Sequence, residues 1–193
     1  MKKKENQRIS LTKRLLKENL LLLLSEKDLQ KITVSELCSA AEINRCTFYK
    51  HYGCIADVLS DIEKGVIEDL EEIWKKYESI EKWPLNNCVE ASCLYLQEHY
   101  ELTKLLLRTS DSNLGFAAVI LNTEHTYSMY EQIFSQIKDE TIRRFVISFV
   151  IHGTYHMIRE WILDGCPKTP KEMGELACQI ATKGWKNAFG AKG

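Results

Sequence analysis

The stretch ITVSELCSAAEINRCTFYKHYGCIADVL, residues 32–59, decides how this chain is to be read. It divides into two short helices joined by a tight turn. Thr33-Val34-Ser35-Glu36 has the pattern of a capping box, in which the Thr33 hydroxyl accepts the Glu36 amide while the Glu36 carboxylate reaches back. Val34, Leu37, Cys38 and Ala41 then fall at i, i+3, i+4 and i+7, one apolar helical stripe. Glu42-Ile43-Asn44 makes the turn, with Ile43 as its buried plug and Asn44 as N-cap of the next helix. That second helix, residues 45–52, buries Phe48 and Tyr52 one turn apart and turns Arg45, Thr47, Tyr49, Lys50 and His51 elsewhere. A helix-turn-helix whose second helix carries phosphate and base-edge partners has the makings of a DNA-reading device.

The distribution of charge agrees. Over all 193 residues the formal charge is only -1. Residues 1–60, however, hold 11 Lys+Arg against 7 Asp+Glu, a balance of +4, and the rest hold 15 against 20, a balance of -5. Lys2, Lys3, Lys4, Arg8, Lys13, Arg14 and Lys17 lead the basic excess, which lies where phosphate contact is expected. A solvated basic terminus is the plainer explanation, and the neighbouring motif is what sets it aside.

Arg8 to Ile62 as a whole resembles the DNA-binding domain of the tetracycline-repressor (TetR) family of regulators. The resemblance rests on the amphipathic first helix, Thr33-Val34 opening the second, Ala40-Ala41 before the turn, and the run Thr47-Phe48-Tyr49-Lys50-His51-Tyr52. It covers roughly the first third of the chain at motif level. Residues 145–175 further resemble a subset linked to dihydroxyacetone-kinase regulators, through Gly153, Arg159-Glu160-Trp161-Ile162 and Pro170-Lys171-Glu172. Two positions depart from the family pattern. Cys54 and Ile55 stand where a capping Ser and a phosphate-touching Lys are usual, so a cap and one charge contact are expected to be missing. Glu42 replaces the usual Gly of the turn. These departures keep open a family member that has lost DNA binding and acts as a protein-binding coactivator or adaptor.

The rest of the chain reads as helices, giving an all-α fold. The first helix is expected over residues 11–25 and a fourth from about Ile55, with Val58, Leu59, Ile62, Val66, Leu70 and Trp74 at helical spacing. Trp83-Pro84 breaks the chain before a helix over residues 85–99, and a short one follows over residues 101–108. Turn formers at residues 109–113 precede a helix over 116–137. Asp139 caps residues 141–163, and Thr169-Pro170-Lys171-Glu172 is a second capping box, with proline at N1, for a last helix reaching about Ala188. Two domains are expected: residues 1–60, with the fourth helix as connector, and a regulatory and dimerisation domain over 61–193.

Candidate sites follow from residue type. Arg45 and Thr47 suit base edges, Tyr49 and His51 phosphates, Lys50 adds charge, and Ser35 near free helix amides suits a phosphate. The helix over 141–163 is apolar around more than one face and therefore needs partners on two sides. Phe149, Tyr155, Ile158, Trp161, Ile162, Leu176 and Ile180 are the expected homodimer interface, which the resemblance also implies. A monomeric core is the alternative. For the small-molecule pocket that the resemblance implies, Tyr95, His99, Phe116, His125, Tyr127, Tyr130, His152 and His156 are the candidates.

Other chemistries are disfavoured. No nucleophile elbow, phosphate-cradling glycine loop or HExxH run occurs, so neither catalytic residues nor a cofactor is expected. Cys38, Cys46 and Cys54 recur every eight residues, unlike zinc spacing; Cys38 and Cys46 read as buried packing residues and Cys54 as a possible thiol sensor. Seven cysteines without a tight CxxC pair suggest a reducing compartment, and the five-residue apolar run at 20–24 is too short for a signal or membrane segment. The expectation is a cytoplasmic, homodimeric repressor that binds a palindromic double-stranded operator, is released by a small-molecule effector, and has no contact with membranes.

Overall fold

In a computed structural model, residues 2–77, 85–109 and 124–188 are described. The helices are α1 (Lys2–Glu26), α2 (Val34–Ala40), α3 (Arg45–Phe48), α4 (Ile55–Lys75), α5 (Leu85–Glu98), α6 (Tyr100–Thr109), α7 (Glu124–Ile133), α8 (Glu140–Leu163) and α9 (Pro170–Ala188). A single 3-10 turn, Leu29–Lys31, links α1 to α2. No strand occurs among the described residues, and no helix there is long and apolar enough to cross a membrane.

Most helix starts carry the chemistry that creates them. Thr33 Oγ1 accepts the Glu36 amide at 3.2 Å, and Asn44 Oδ1 accepts the Cys46 amide at 2.8 Å. Asp139 Oδ1 accepts the Thr141 and Ile142 amides at 2.9 and 3.0 Å. At α9 the reciprocal box closes: Thr169 Oγ1 accepts the Glu172 amide at 3.3 Å and Glu172 Oε2 accepts the Thr169 amide at 2.8 Å. At α4 Cys54 takes the N-cap position without an ordinary side-chain cap bond, and a carboxylate ties the entry instead. Asp57, one turn inside the helix, accepts the Gly53 and Cys54 amides at 2.7 and 3.1 Å. Those two bonds hold its carboxyl below the usual carboxylate range.

Helix ends are built as cleanly. α8 closes in a Schellman motif: Cys166 N–H donates to Trp161 O at 2.8 Å and Gly165 N–H to Ile162 O at 3.1 Å. Gly165 takes the left-handed position, φ +84°. α2 ends identically, with Ile43 N–H donating to Cys38 O at 2.9 Å and Glu42 N–H to Ser39 O at 3.2 Å. Here the left-handed residue is Glu42, φ +54°.

Several expectations shift. α1 starts nine residues before the expected Leu11, because its first turns hold Lys, Glu, Gln and Arg, good helix formers that lack apolar periodicity. α3 is shorter than expected and passes into tight turns, His51 N–H reaching Phe48 O at 2.9 Å. Ile43 is half-buried rather than buried, and Cys46 is exposed, because one turn of helix hides only Phe48. The break at Trp83-Pro84, residues 110–123, and the side chain of Trp185 lie outside the described residues.

One core runs through the fold. Leu16, Leu20 and Leu24 of α1 pack with Leu37, Phe48, Tyr52, Val58, Leu59 and Ile62, and the cluster continues to Ile147, Val150 and Ile162 of α8. α4 is tied to α5 at two points: Trp74 Nε1 donates to Ser92 Oγ at 2.8 Å, and Tyr95 OH to Asp69 Oδ2 at 2.6 Å. α9 lies directly on α5, where a Cβ at Gly174 would come within 2.4 Å of Asn86 O. Gly174→Ala is therefore expected to lose about 1–3 kcal/mol in chemical denaturation through overpacking. Gly65→Ala, where an added Cβ meets nothing within 4 Å, is expected to gain up to about 1 kcal/mol from helix propensity.

Candidate nucleic-acid interface

The reading unit is held from behind by one carboxylate. Asp61 of α4 accepts the Tyr52 hydroxyl at 2.5 Å and pairs with Lys17 at 3.2 Å and Lys13 at 3.4 Å, both from α1. Lys17 Nζ also donates to the Asp61 carbonyl at 3.0 Å, and Lys13 lies 5.2 Å from the Tyr52 ring centroid. Burial works against the Asp61 carboxylate, but the Tyr52 hydroxyl, the Lys17 hydrogen bond and the two lysine charges outweigh it and keep its carboxyl below the usual range. The Tyr52 phenol is pushed up, by burial first and then by Asp61. Lys13 and Lys17, counted from the sequence among phosphate-facing cations, are thus turned inward. Sequence reading missed Asp61 altogether, because its partners lie 9, 44 and 48 residues away.

On the other side of this anchor stand the candidate contacts. Arg45 Nη2 donates to Ser35 Oγ, joining α3 to the first turn of α2. Arg45 and Lys50 are exposed, Thr47 and His51 half-exposed. Tyr49 is 59% exposed with its ring edge-on to the buried Phe48, centroids 5.3 Å apart, so most of it projects outward. Ser35, Arg45, Thr47, Tyr49, Lys50 and His51 therefore lie around one short helix and the start of its neighbour. Arg8 and Arg14 are exposed on α1. The side chains of residues 2–4 lie outside the described set. Glu36 does not spend its carboxylate chiefly on closing the box at α2. It pairs with Lys27, which does most to hold its carboxyl below the usual range.

The expected pocket residues do not converge. Tyr95 spends its hydroxyl on Asp69 and lies 4.6 Å from the exposed His99 ring. Tyr130 is buried beside Phe134, its phenol pushed up to about 12 by burial. Tyr127 is exposed, and His152 and His156 lie on the outer face of α8. Phe116 and the side chain of His125 fall outside the described residues. A cleft of about 1250 Å³ opens instead between the end of α1, the start of α4 and α6, lined by Leu21, Leu59, Glu63, Leu105, Lys104 and Arg108 among others.

The expected interface also sorts into three sets. Phe149, Leu176 and Ile180 are 73%, 44% and 54% exposed, joined by Phe145 at 63%. Tyr155 and Ile158 are half-buried. Trp161 and Ile162 are buried inside the chain, Trp161 Nε1 donating to Lys168 O at 2.9 Å, so they have no surface left to offer a partner. The described residues contain no group of three or more His, Cys, Asp or Glu arranged to hold a metal ion. Burial alone pushes the Cys88 thiol up to about 12, and the same cause leads at Cys93, also about 12.

A C-terminal family model described as "Transcriptional regulator C-terminal region" matches residues 85–183. The chain is similar to the uncharacterized HTH-type transcriptional regulator YxbF of Bacillus subtilis (strain 168), 21% identical over 180 residues and 86% of this chain. It spans 44% of that relative's length. Its fold is similar to the crystal structure of a TetR transcriptional regulator from Streptococcus agalactiae 2603V, with a TM-score of 0.66, 17% identity, and coverage of 94% of this chain and 99% of that one. It is also similar to the dihydroxyacetone kinase operon activator DhaS, with a TM-score of 0.59, 18% identity, and coverage of 91% and 97%.

Two outcomes follow from this geometry. Glu42→Gly is expected to stabilise the fold by about 1 kcal/mol in denaturant titration, because glycine carries no side-chain penalty in the left-handed region. Asp61→Ala is expected to cost about 2 kcal/mol at neutral pH, since it strands the buried Tyr52 hydroxyl. Because the folded state lowers the Asp61 pKa, its contribution is full above the ordinary carboxylate value and fades as pH falls below about 4. Acid titration should therefore bring wild type and variant together.

Proposed function

We infer that this chain, which belongs to the TetR family of transcriptional regulators, reads a palindromic double-stranded DNA operator as a homodimer and acts as a repressor that a small-molecule effector releases. The observation that carries the DNA reading is the pairing of an outward set with an inward anchor. Arg45, Tyr49 and Lys50 are exposed on one short capped helix and the turn that follows it, while Phe48 and Tyr52 from the same segment are buried and Tyr52 is held by Asp61. Such a segment presents its polar groups to a major groove with its backbone already ordered. Arg45 is assigned to a base edge, with Ser35 holding the guanidinium in place; Tyr49, Lys50 and His51 are assigned to phosphates.

Dimerisation through α8 and α9 is supported by the exposed Phe145, Phe149, Leu176 and Ile180. A single short helix reads few base pairs, and a twofold pair joins the free energies of two half-sites. Effector release is supported by the position of the cleft, which touches α1 and α4 on one wall and α6 on the other. A molecule that fits one separation of those walls better than another shifts α4 and hence the recognition segment.

Selection of bound fragments from random duplex DNA tests the reading: a palindrome with two half-sites is the expected product. Arg45→Ala should weaken each half-site contact by about 1–3 kcal/mol, and Lys50→Ala should lower the salt slope by roughly one unit per site. Titrations that stay flat at low ionic strength would overturn the reading and favour a protein-binding adaptor.

A further inference from the structure

We propose that His152 and His156 form a bidentate site for a divalent transition metal of zinc, nickel or copper type, completed by the same pair from a second copy of the chain. This inference rests on the homodimer proposed above. The two histidines are four residues apart on α8, both exposed, so their rings rise one above the other on the same face, Cβ atoms about 5–6 Å apart. That spacing is the helical arrangement by which two imidazoles grip one ion. His152 Nδ1 lies 2.7 Å from Ser148 O. A carbonyl only accepts, so Nδ1 donates its hydrogen and, in the neutral ring, Nε2 keeps a free lone pair. A backbone carbonyl that fixes the ring tautomer is the usual support of a metal-bound imidazole.

The pair does not stand in isolation. Phe145, Phe149, His152 and His156 are spaced four, three and four residues apart, which places them within an arc of about 60° on one side of the helix. Ile147, Val150 and Ile151 occupy the opposite side and are buried in the chain's own core. The outer seam has the spacing by which two helices pair, and the histidines continue the line of the exposed phenylalanines. Beside them, an added Cβ at Gly153 would meet nothing within 4 Å. Two ligands leave a tetrahedral ion half-coordinated, and the described residues supply no third His, Cys, Asp or Glu to the group. A twofold axis crossing the seam supplies the other two imidazoles. Imidazole donors favour zinc, nickel and copper over magnesium or calcium.

The experiment uses the untagged full chain, with Co2+ as spectroscopic probe and Zn2+ in competition with a chromophoric chelator, while light scattering records the mass with and without metal. The expected result is one ion per two chains, a tetrahedral Co2+ spectrum without thiolate charge transfer, and at least tenfold weaker binding in both His152→Gln and His156→Gln. A thiolate spectrum, binding unchanged in both variants, or one ion per chain would overturn the site. The mass separates the two ideas. A metal-free dimer that ignores zinc leaves the homodimer standing and sinks the site, whereas a monomer at every metal concentration sinks both.

Discussion

Asp61 is where the amino-terminal helices become one body. Its carboxylate lies on α4, takes the hydroxyl of Tyr52 at the end of the recognition segment, and is neutralised by Lys13 and Lys17 of α1. This half-buried carboxylate keeps part of its hydration, and hydrogen bonds and opposite charges replace the rest. Once they do, the three elements cannot move independently without stranding a buried polar group. The leucines of α1 and Phe48 add the apolar part of the same junction. The recognition segment thus has a fixed relation to α4 although its helix proper is a single turn.

That relation gives α4 its mechanical meaning. At its far end, Trp74 and Asp69 are bonded to Ser92 and Tyr95 of α5, and α5 carries α9 at a contact so close that only glycine fits at position 174. In the proposed function, this chain of contacts is the route by which a displacement of the carboxy-terminal helices reaches the recognition segment. The cleft beside α6 lies against the same helix, so under the function proposed above an effector there and DNA at the recognition segment would draw on one conformational equilibrium and influence each other reciprocally.

The surface charges look different once partners are known. Two lysines that the sequence offers to phosphate are consumed internally, and the exposed arginines and Lys50 carry the outward field instead. Glu42 is set at the turn by a Schellman closure that normally asks for glycine, so its strain and its negative charge fall at the same spot. Where the usual serine cap is replaced by Cys54, Asp57 still ties the entry to α4 by accepting the two amides that precede the helix.

Read alone, the chain was sufficient for its capped helix starts, its all-α character and its family. Caps are local: Thr33, Asn44, Asp139 and the Thr169–Glu172 pair act over two or three residues, so their chemistry is visible in a line of letters. Helix ends without apolar periodicity, as in the first turns of α1, were not legible, because propensity without a buried face leaves no pattern. Tertiary structure alone decided which of two apolar seams on α8 is core and which is surface. It sent Trp161 and Ile162 inward and left Phe145, Phe149, His152 and His156 outside. Periodicity tells which residues share a face, whereas the choice of face depends on what the other helices bring to it. The same holds for Asp61, whose role exists only because folding gathers side chains as many as 48 residues apart around one carboxylate.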